Sequence, residues 1–308
     1  MASDRELKLR IRSVHSIGQI TNAMKMVASS QIRRVEAQAV RGRPYASKLR
    51  EVVQDLAQHL GQADHPLLQT REVKRVGVLC LGADNGLCGA YNSNIGRTAV
   101  KLLEGLPVKP SRLVVLGSKL ERSLRRAGYE PTQVIEDWKA EDSLAQRLAE
   151  EMESWFLEGE VDEVWCVYTE AITMLQNEPM ALRLLPLSAL ETSLNDYEAN
   201  EERMTYTDVD NKYRKRERQE LHGDYIFEPD AQTALNTIVP LYLRAVVMQY
   251  LLEAKTSELG SRLRAMTNAT DNAEKLESEL TLEYYRVRQN NITTEIIEIS
   301  SGAEALKG

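Results

Sequence analysis

The chain has 308 residues, 43% of them hydrophobic and 28% charged, with a formal net charge of −7. That is material for one α/β domain plus extended helix, and the overall acidity works against phosphate backbones, so nucleic acid is not an expected partner. There is no run of 18 apolar residues to cross a bilayer, and MASDRELKLR has neither the apolar core of a secretory signal nor the acid-poor composition of a transit peptide, which predicts a chain made and kept in the cytoplasm. Cys80, Cys88 and Cys166 lack CxxC spacing and His15, His59, His65 and His222 are scattered, so neither a disulfide framework nor a zinc site is expected.

The first predicted element spans residues 1–60. Leu7, Ile11, Val14, Ile17, Ile20, Met24 and Val27 step by three or four and fall on one helical face, continued by Ile32, Val35 and Ala39. Ser3 with Glu6 reads as a capping box. Pro44, which cannot donate to the preceding turn, should kink the helix or restart it before Leu49, Val52, Leu56 and Leu60. This end is basic, with eleven Lys and Arg against five Asp and Glu in residues 1–57. Such a face is ordinarily solvated, with a surface for an acidic partner as the second reading.

Residues 73–187 alternate strand and helix. RVGVLCLG (75–82), RLVVLGS (112–118), EVWCVYTEA (163–171) and MALRLLPL (180–187) read as strands, with helical patterns at roughly 91–105, 118–127 and 141–157 between them. The alternation predicts a mostly parallel sheet with crossover helices. The loop GADNGLCGAYNSNIGR (82–97) follows the first strand and opens a helix, as phosphate-binding loops do, but it lacks both the Lys-Ser/Thr pair and the GxGxxG spacing. It reads as a structural turn. Cys80 and Cys166 read as small core residues, Cys88 as an inert loop thiol, and Trp138, Trp155 and Trp165 as packing residues.

Residues 188–227 form a charged connecting segment with few large apolar groups and the block KYRKRER (212–218). It reads as an exposed connection, with a contact surface for another subunit as the sharper alternative. In DYIFEPD (224–230) Pro229 suits a first helical turn, and Glu228 beside it favours the positive end of the helix dipole.

From 228 to 308 the pattern is one long helix. Leu259, Met266, Ala273, Leu280 and Val287 fall seven apart with Leu263, Ala269 and Leu276 between them, and after a skip Ile292, Ile296, Ile299, Ala303 and Leu306 resume the spacing. About 70 helical residues make a rod on the order of 100 Å long. Two amphipathic stripes at the two chain ends are most simply buried against each other, as an antiparallel pair.

ITNAMKMVASSQIRR (20–34), NGLCGAYNSNI (85–95), DYIFEPD, SRLRAMTNATDNA (261–273) and above all RVRQNNITTEIIEISSGAEA (286–305) resemble the γ subunit of F-type ATP synthases. These motifs occur in order and span the chain. The resemblance implies a Rossmann-like central α/β domain carried on a long antiparallel coiled coil of the N- and C-terminal helices. It also implies a rotor shaft inside a ring of three αβ pairs, with the ε subunit and the membrane c-ring at its foot. Such a chain does no chemistry and needs no cofactor. It sits peripherally at the cytoplasmic face of the cell inner membrane and meets the membrane only through the c-ring. Residues 188–224 contain no cysteine, so the redox pair of chloroplast forms is missing.

By the same resemblance, Met24, Lys25, Arg33, Arg34, Arg262, Arg288, Gln289, Thr293 and Glu295 match positions that contact the catalytic ring, and Tyr225 and Glu228 match positions that contact ε and the c-ring. The tip ISSGAEALKG, small and nearly uncharged, suits a low-friction bearing. Two competing readings are a coiled-coil adaptor outside the synthase, which has no reason to carry the terminal motif, and a nucleotide-binding enzyme, which would need a phosphate loop and catalytic groups.

Overall fold

The computed structural model describes residues 4–59, 65–172, 176–187 and 230–305. In chain order they form α1 (Asp4–His59), a 3-10 turn (Pro66–Leu68), β1 (Val76–Leu81), α2 (Tyr91–Gly105), β2 (Arg112–Leu116), α3 (Ser118–Arg126), β3 (Gln133–Ile135), α4 (Asp142–Leu157), β4 (Glu163–Ala171), β5 (Asn177–Leu185) and α5 (Ala231–Ala305). They divide into two compact units, a helical pair of Met1–Ser29 with Arg262–Gly308, and a body, Ser30–Ser261.

The body is built on a five-stranded sheet in the order β3-β2-β1-β4-β5. β1, β2, β3 and β4 are parallel, and β5 runs antiparallel to β4 at the edge. β1 is VGVLCL, buried at every position. A strand apolar on both faces needs helices on both sides, which is the condition that favours parallel pairing.

Side chains then sort by the two-residue period. Leu79, Leu81, Val114, Leu116, Cys166 and Tyr168 face one layer, with Leu148, Met152 and Phe156 of α4 and Leu235, Val239, Leu243 and Leu251 of α5. Val78, Cys80, Leu113, Val115 and Val167 face the other, with Ile95, Ala99 and Leu103 of α2 and Leu120 and Leu124 of α3. α5 also has an 18-residue window of mean hydropathy 1.3, apolar enough by composition to cross a membrane. The core contacts of its first turns account for that composition.

The winding reverses between β1 and β4, and the crevice beyond the carboxyl ends of those strands is where open parallel sheets usually hold a ligand. Here α5 occupies it. Glu253, Ala254, Thr256, Ser257, Glu258, Leu259 and Ser261 are all buried.

The predicted strands and helices of the α/β region are present, with β5 starting earlier than its apolar run, at Asn177. β3 was not foreseen, because three half-buried residues, QVI, carry no periodicity. One local expectation is narrowed and another corrected. α1 runs unbroken through Pro44, so the helix is not restarted there. α5 begins at Ala231, after Pro229, with Asp230 as its cap. The Asp230 carboxylate accepts from the Thr233 backbone N–H at 2.8 Å and from its hydroxyl at 2.8 Å, bonds that hold its pKa below the usual range. An Asp side chain satisfies a free amide of the first turn, which Pro229 cannot do.

Cys80 and Cys166 lie on adjacent strands but in opposite layers of the core. Burial pushes the Cys80 thiol up to about 12 and raises that of Cys166 well above its ordinary value. A thiol reagent at pH 8 should therefore find no reactive cysteine in the folded chain and all three after denaturation. Stoichiometric labelling of a native thiol would contradict this.

Candidate functional site

Two candidate sites follow from the sequence, the loop after β1 and the long helices. The loop is closed by the protein itself. The Ala83 amide donates to Asn92 Oδ1 (3.3 Å), the Gly82 amide to Leu116 O (2.8 Å), and the Lys119 amide to Ala83 O (3.1 Å). The first amide of α3, on Ser118, donates to Asp84 Oδ1 at 3.0 Å, so a resident carboxylate stands where a phosphate would bind. Gly117 (φ +95°) lets the chain pass so close to Ala83 that an added Cβ would lie 2.7 Å from its backbone. The loop is a packed structural turn.

In the helical pair, the residues of α1 that turn inward are Leu7, Ile11, Val14, Gly18, Thr21, Lys25 and Ala28, in strict four-three alternation. Those of α5 are Met266, Thr270, Ala273, Glu277, Leu280, Tyr284 and Val287, in the same alternation. Four contacts fix the register. Lys8 Nζ lies 5.5 Å from the centre of the Tyr284 ring. His15 Nδ1 is 3.1 Å from Glu277 Oε1. A Cβ on Gly18 would lie 3.5 Å from Ala273 Cβ. Thr270 and Thr21 share a buried hydroxyl contact of 2.9 Å, while Thr21 donates to Gly18 O. Each pair of numbers adds to 291 or 292, the mark of an antiparallel pair without slippage.

This bears out Leu7, Ile11, Val14, Met266, Ala273, Leu280 and Val287 of the predicted stripes and corrects others. Ile17, Ile20 and Val27 are 51%, 60% and 56% exposed, and Leu276 is 45% exposed. At those places the seam takes Gly18 against Ala273 and Thr21 against Thr270. Small side chains let two backbones approach, and the Thr270 hydroxyl can donate to that of Thr21, whereas isoleucines at Gly18 and Thr21 would hold the helices apart.

By that register Asp4 comes opposite residue 287 or 288. Beyond this point α5 has no α1 partner among the described residues, and every residue from Arg288 through Ala303 is exposed. Ile292, Ile296, Ile297 and Ile299 all lie in this stretch. A single helix in water is marginal, and a stripe of exposed isoleucines along it calls for a covering surface.

The ATP synthase family model matches residues 3–306. ATP synthase gamma chains of Moorella thermoacetica and Desulfitobacterium hafniense are 40% and 37% identical to this chain, over the whole of both sequences. The chain belongs to the ATP synthase γ chain family. The fold agrees. A chain of the Euglena gracilis mitochondrial ATP synthase (OSCP/F1/c-ring) superposes with a TM-score of 0.66 at 18% identity, covering 98% of this chain and 94% of that one. A chain of the Tetrahymena thermophila central stalk and c-ring superposes at 0.58 and 23% identity, covering 81% and 99%.

For a γ chain the placement of the expected contact residues matters. Arg288, Gln289, Thr293 and Glu295 come together on the unpaired tip, all exposed. The Thr293 hydroxyl donates to Gln289 O at 2.9 Å, which leaves its oxygen to accept from outside. Met24 and Lys25 are half-buried along the pair, and Arg262 is half-buried. In the register Lys25 faces Met266, about 33 Å along α5 from Arg288, so the expected contact residues fall into two separate groups. Arg33 and Arg34 are exposed on the part of α1 that belongs to the body. Tyr225 and Glu228 lie outside the described residues.

Thr21, Thr270, Glu277 and Tyr284 were missed as seam residues, and Lys8 and His15 as the groups that flank it. The only signal of the first four is the four-three spacing, which apolar counting overrides; the flanking pair has none. Gly18→Ala should be accepted, since its Cβ would meet Ala273 at ordinary contact distance, and should raise helix stability by up to about 1 kcal/mol. Gly18→Leu should part the helices and lower the melting temperature. Equal melting temperatures for the two variants would refute the seam.

Proposed function

We propose that the chain is the rotating central shaft of a bacterial F-type ATP synthase. It couples proton-driven rotation of a membrane c-ring to conformational cycling in a ring of three αβ pairs. The chain performs no catalysis. Its helical pair and tip turn inside the ring, the ε subunit and c-ring bind at its foot, and the complex lies peripherally at the cytoplasmic face of the inner membrane. The observation that carries this reading is the tip. An unbroken helix exposed on every side, with four isoleucines among its residues, suits an apolar sleeve in which a shaft turns without one fixed partner face.

On this reading Arg288, Gln289, Thr293 and Glu295 are the polar catch on the ring, while Met24, Lys25 and Arg262 contact it farther along, with Arg33 and Arg34 beyond. Arg288 and Gln289 are adjacent and point ~100° apart, so they engage a loop from two sides. Arg supplies a fork of donors for a carboxylate and Gln both donor and acceptor. A charge-assisted hydrogen bond of ~1.5 to 3 kcal/mol holds a dwell and still breaks at each step. Tyr225 and Glu228 are the matching contacts for ε and the c-ring.

Mixing the purified chain with α and β chains tests the reading. A complex with one copy per three αβ pairs should elute from gel filtration and sustain ATP hydrolysis, and absence of a complex would overturn it. The catch is tested separately. Arg288→Ala with Gln289→Ala should slow steady-state hydrolysis several-fold in an assembled complex, whereas parental turnover and coupling would mean that torque passes through shape alone.

A further inference from the structure

α5 fills the crevice at the carboxyl ends of β1 and β4 with polar residues, and these are held by side chains from three separate parts of the body. Tyr91, the first residue of α2, donates its hydroxyl to Ala254 O at 3.1 Å. Ser257 donates its hydroxyl to Thr169 O of β4 at 3.0 Å. Asn177, the first residue of β5, donates through one amide nitrogen to Ser257 O at 3.1 Å and to Ser261 Oγ at 2.7 Å. Tyr168 of β4 stacks on Tyr250 with ring centres 4.3 Å apart. To one side, the Lys255 ammonium sits 5.2 Å from the centre of the Trp138 ring and pairs with Glu258 at 2.8 Å, while Trp138 donates to Gly82 O.

Tyr250, Ala254, Ser257 and Ser261 are spaced by four, three and four, so they share one face of α5. Two carbonyls of that face, Ala254 O and Ser257 O, accept side-chain bonds beyond those of the helix itself. Apolar packing alone would let a helix roll, because dispersion contacts are non-directional. Hydrogen bonds to backbone carbonyls have preferred directions and would be lost on a small rotation about the helix axis. The bonds lie off that axis, and each therefore opposes a twist.

We propose that this seat, with Tyr91, Asn177 and Ser257 as positioning residues, is the torsional joint through which rotation of the α/β body is passed to the shaft helix. The assignment rests on the shaft reading above. It adds that torque enters α5 through directional bonds in the crevice, not through its apolar packing on the sheet.

The test uses the assembled, membrane-reconstituted ATP synthase carrying Tyr91→Phe, Asn177→Ala and Ser257→Ala together, and Tyr91→Phe alone. Tyr91→Phe keeps the ring and removes only the hydroxyl. Two quantities are read. One is the angular spread of a bead attached to the body at Lys109→Cys, an exposed position, with the αβ ring fixed to the surface. The other is the number of protons pumped per ATP hydrolysed.

The triple variant should at least double the angular spread and lower the pumping ratio about threefold, while the rate of hydrolysis by the detached head stays parental. Tyr91→Phe should fall between. Unchanged spread and pumping ratio in the triple variant would overturn the joint while leaving the shaft reading intact. Should the triple variant fail to assemble, Tyr91→Phe decides on the same two quantities. Failure of the parental bead to rotate on adding ATP would overturn both readings.

Discussion

A helix carries its backbone hydrogen bonds within itself, and the whole chain depends on that self-sufficiency. α5 runs for 75 residues through three surroundings without breaking. Leu235, Leu243 and Leu251 are fully buried in the core of the body, Met266, Thr270 and Tyr284 are buried in the helical pair, and Ile292 through Ile299 are exposed. Only the side chains need to change between these settings. A strand could not do this, because its amides and carbonyls would need a new neighbour in each.

The same economy explains the composition of the pair. Two helices share a single seam, so each can bury only a narrow stripe against the other. Leu7, Ala28, Met266 and Ala273 are buried, while Leu9, Ile17, Ile20, Val27, Leu282 and Tyr285 are not. A pair meant to stand alone in water would place charge at these outer positions. Leaving them apolar is consistent with a pair that finishes folding only inside another structure. The polar contacts of the seam, Thr21 with Thr270 and His15 with Glu277, then fix the register that dispersion alone would leave free to slip by a turn.

The sheet was readable from the sequence because VGVLCL, RLVVL and EVWCVYTEA are short apolar runs between turn residues, and each became a strand. The long helices were readable too, and so was part of the side on which they meet, since Leu7, Ile11, Val14, Met266, Ala273, Leu280 and Val287 all lie in the seam. Counting apolar groups favours Ile17 and Ile20 over Gly18 and Thr21, and closeness of approach reverses the choice. Arg288 and Gln289 could be singled out only by resemblance, since an exposed Arg beside a Gln has no signal of its own. The crevice contacts were invisible for another reason. Tyr91, Asn177 and Ser257 are far apart in the chain, and nothing local marks any of them as a partner of the others.

The crevice also changes what can regulate the protein. A pocket that binds a metabolite is occupied to a degree set by concentration, and the structure around it loosens or tightens as that concentration moves. Here the occupant is α5, covalently part of the same chain, and Asp84 takes the place of an anion at the start of α3. A tethered occupant has a fixed effective concentration. A metabolite could enter this region only by displacing part of the chain itself, in competition with a partner that never diffuses away.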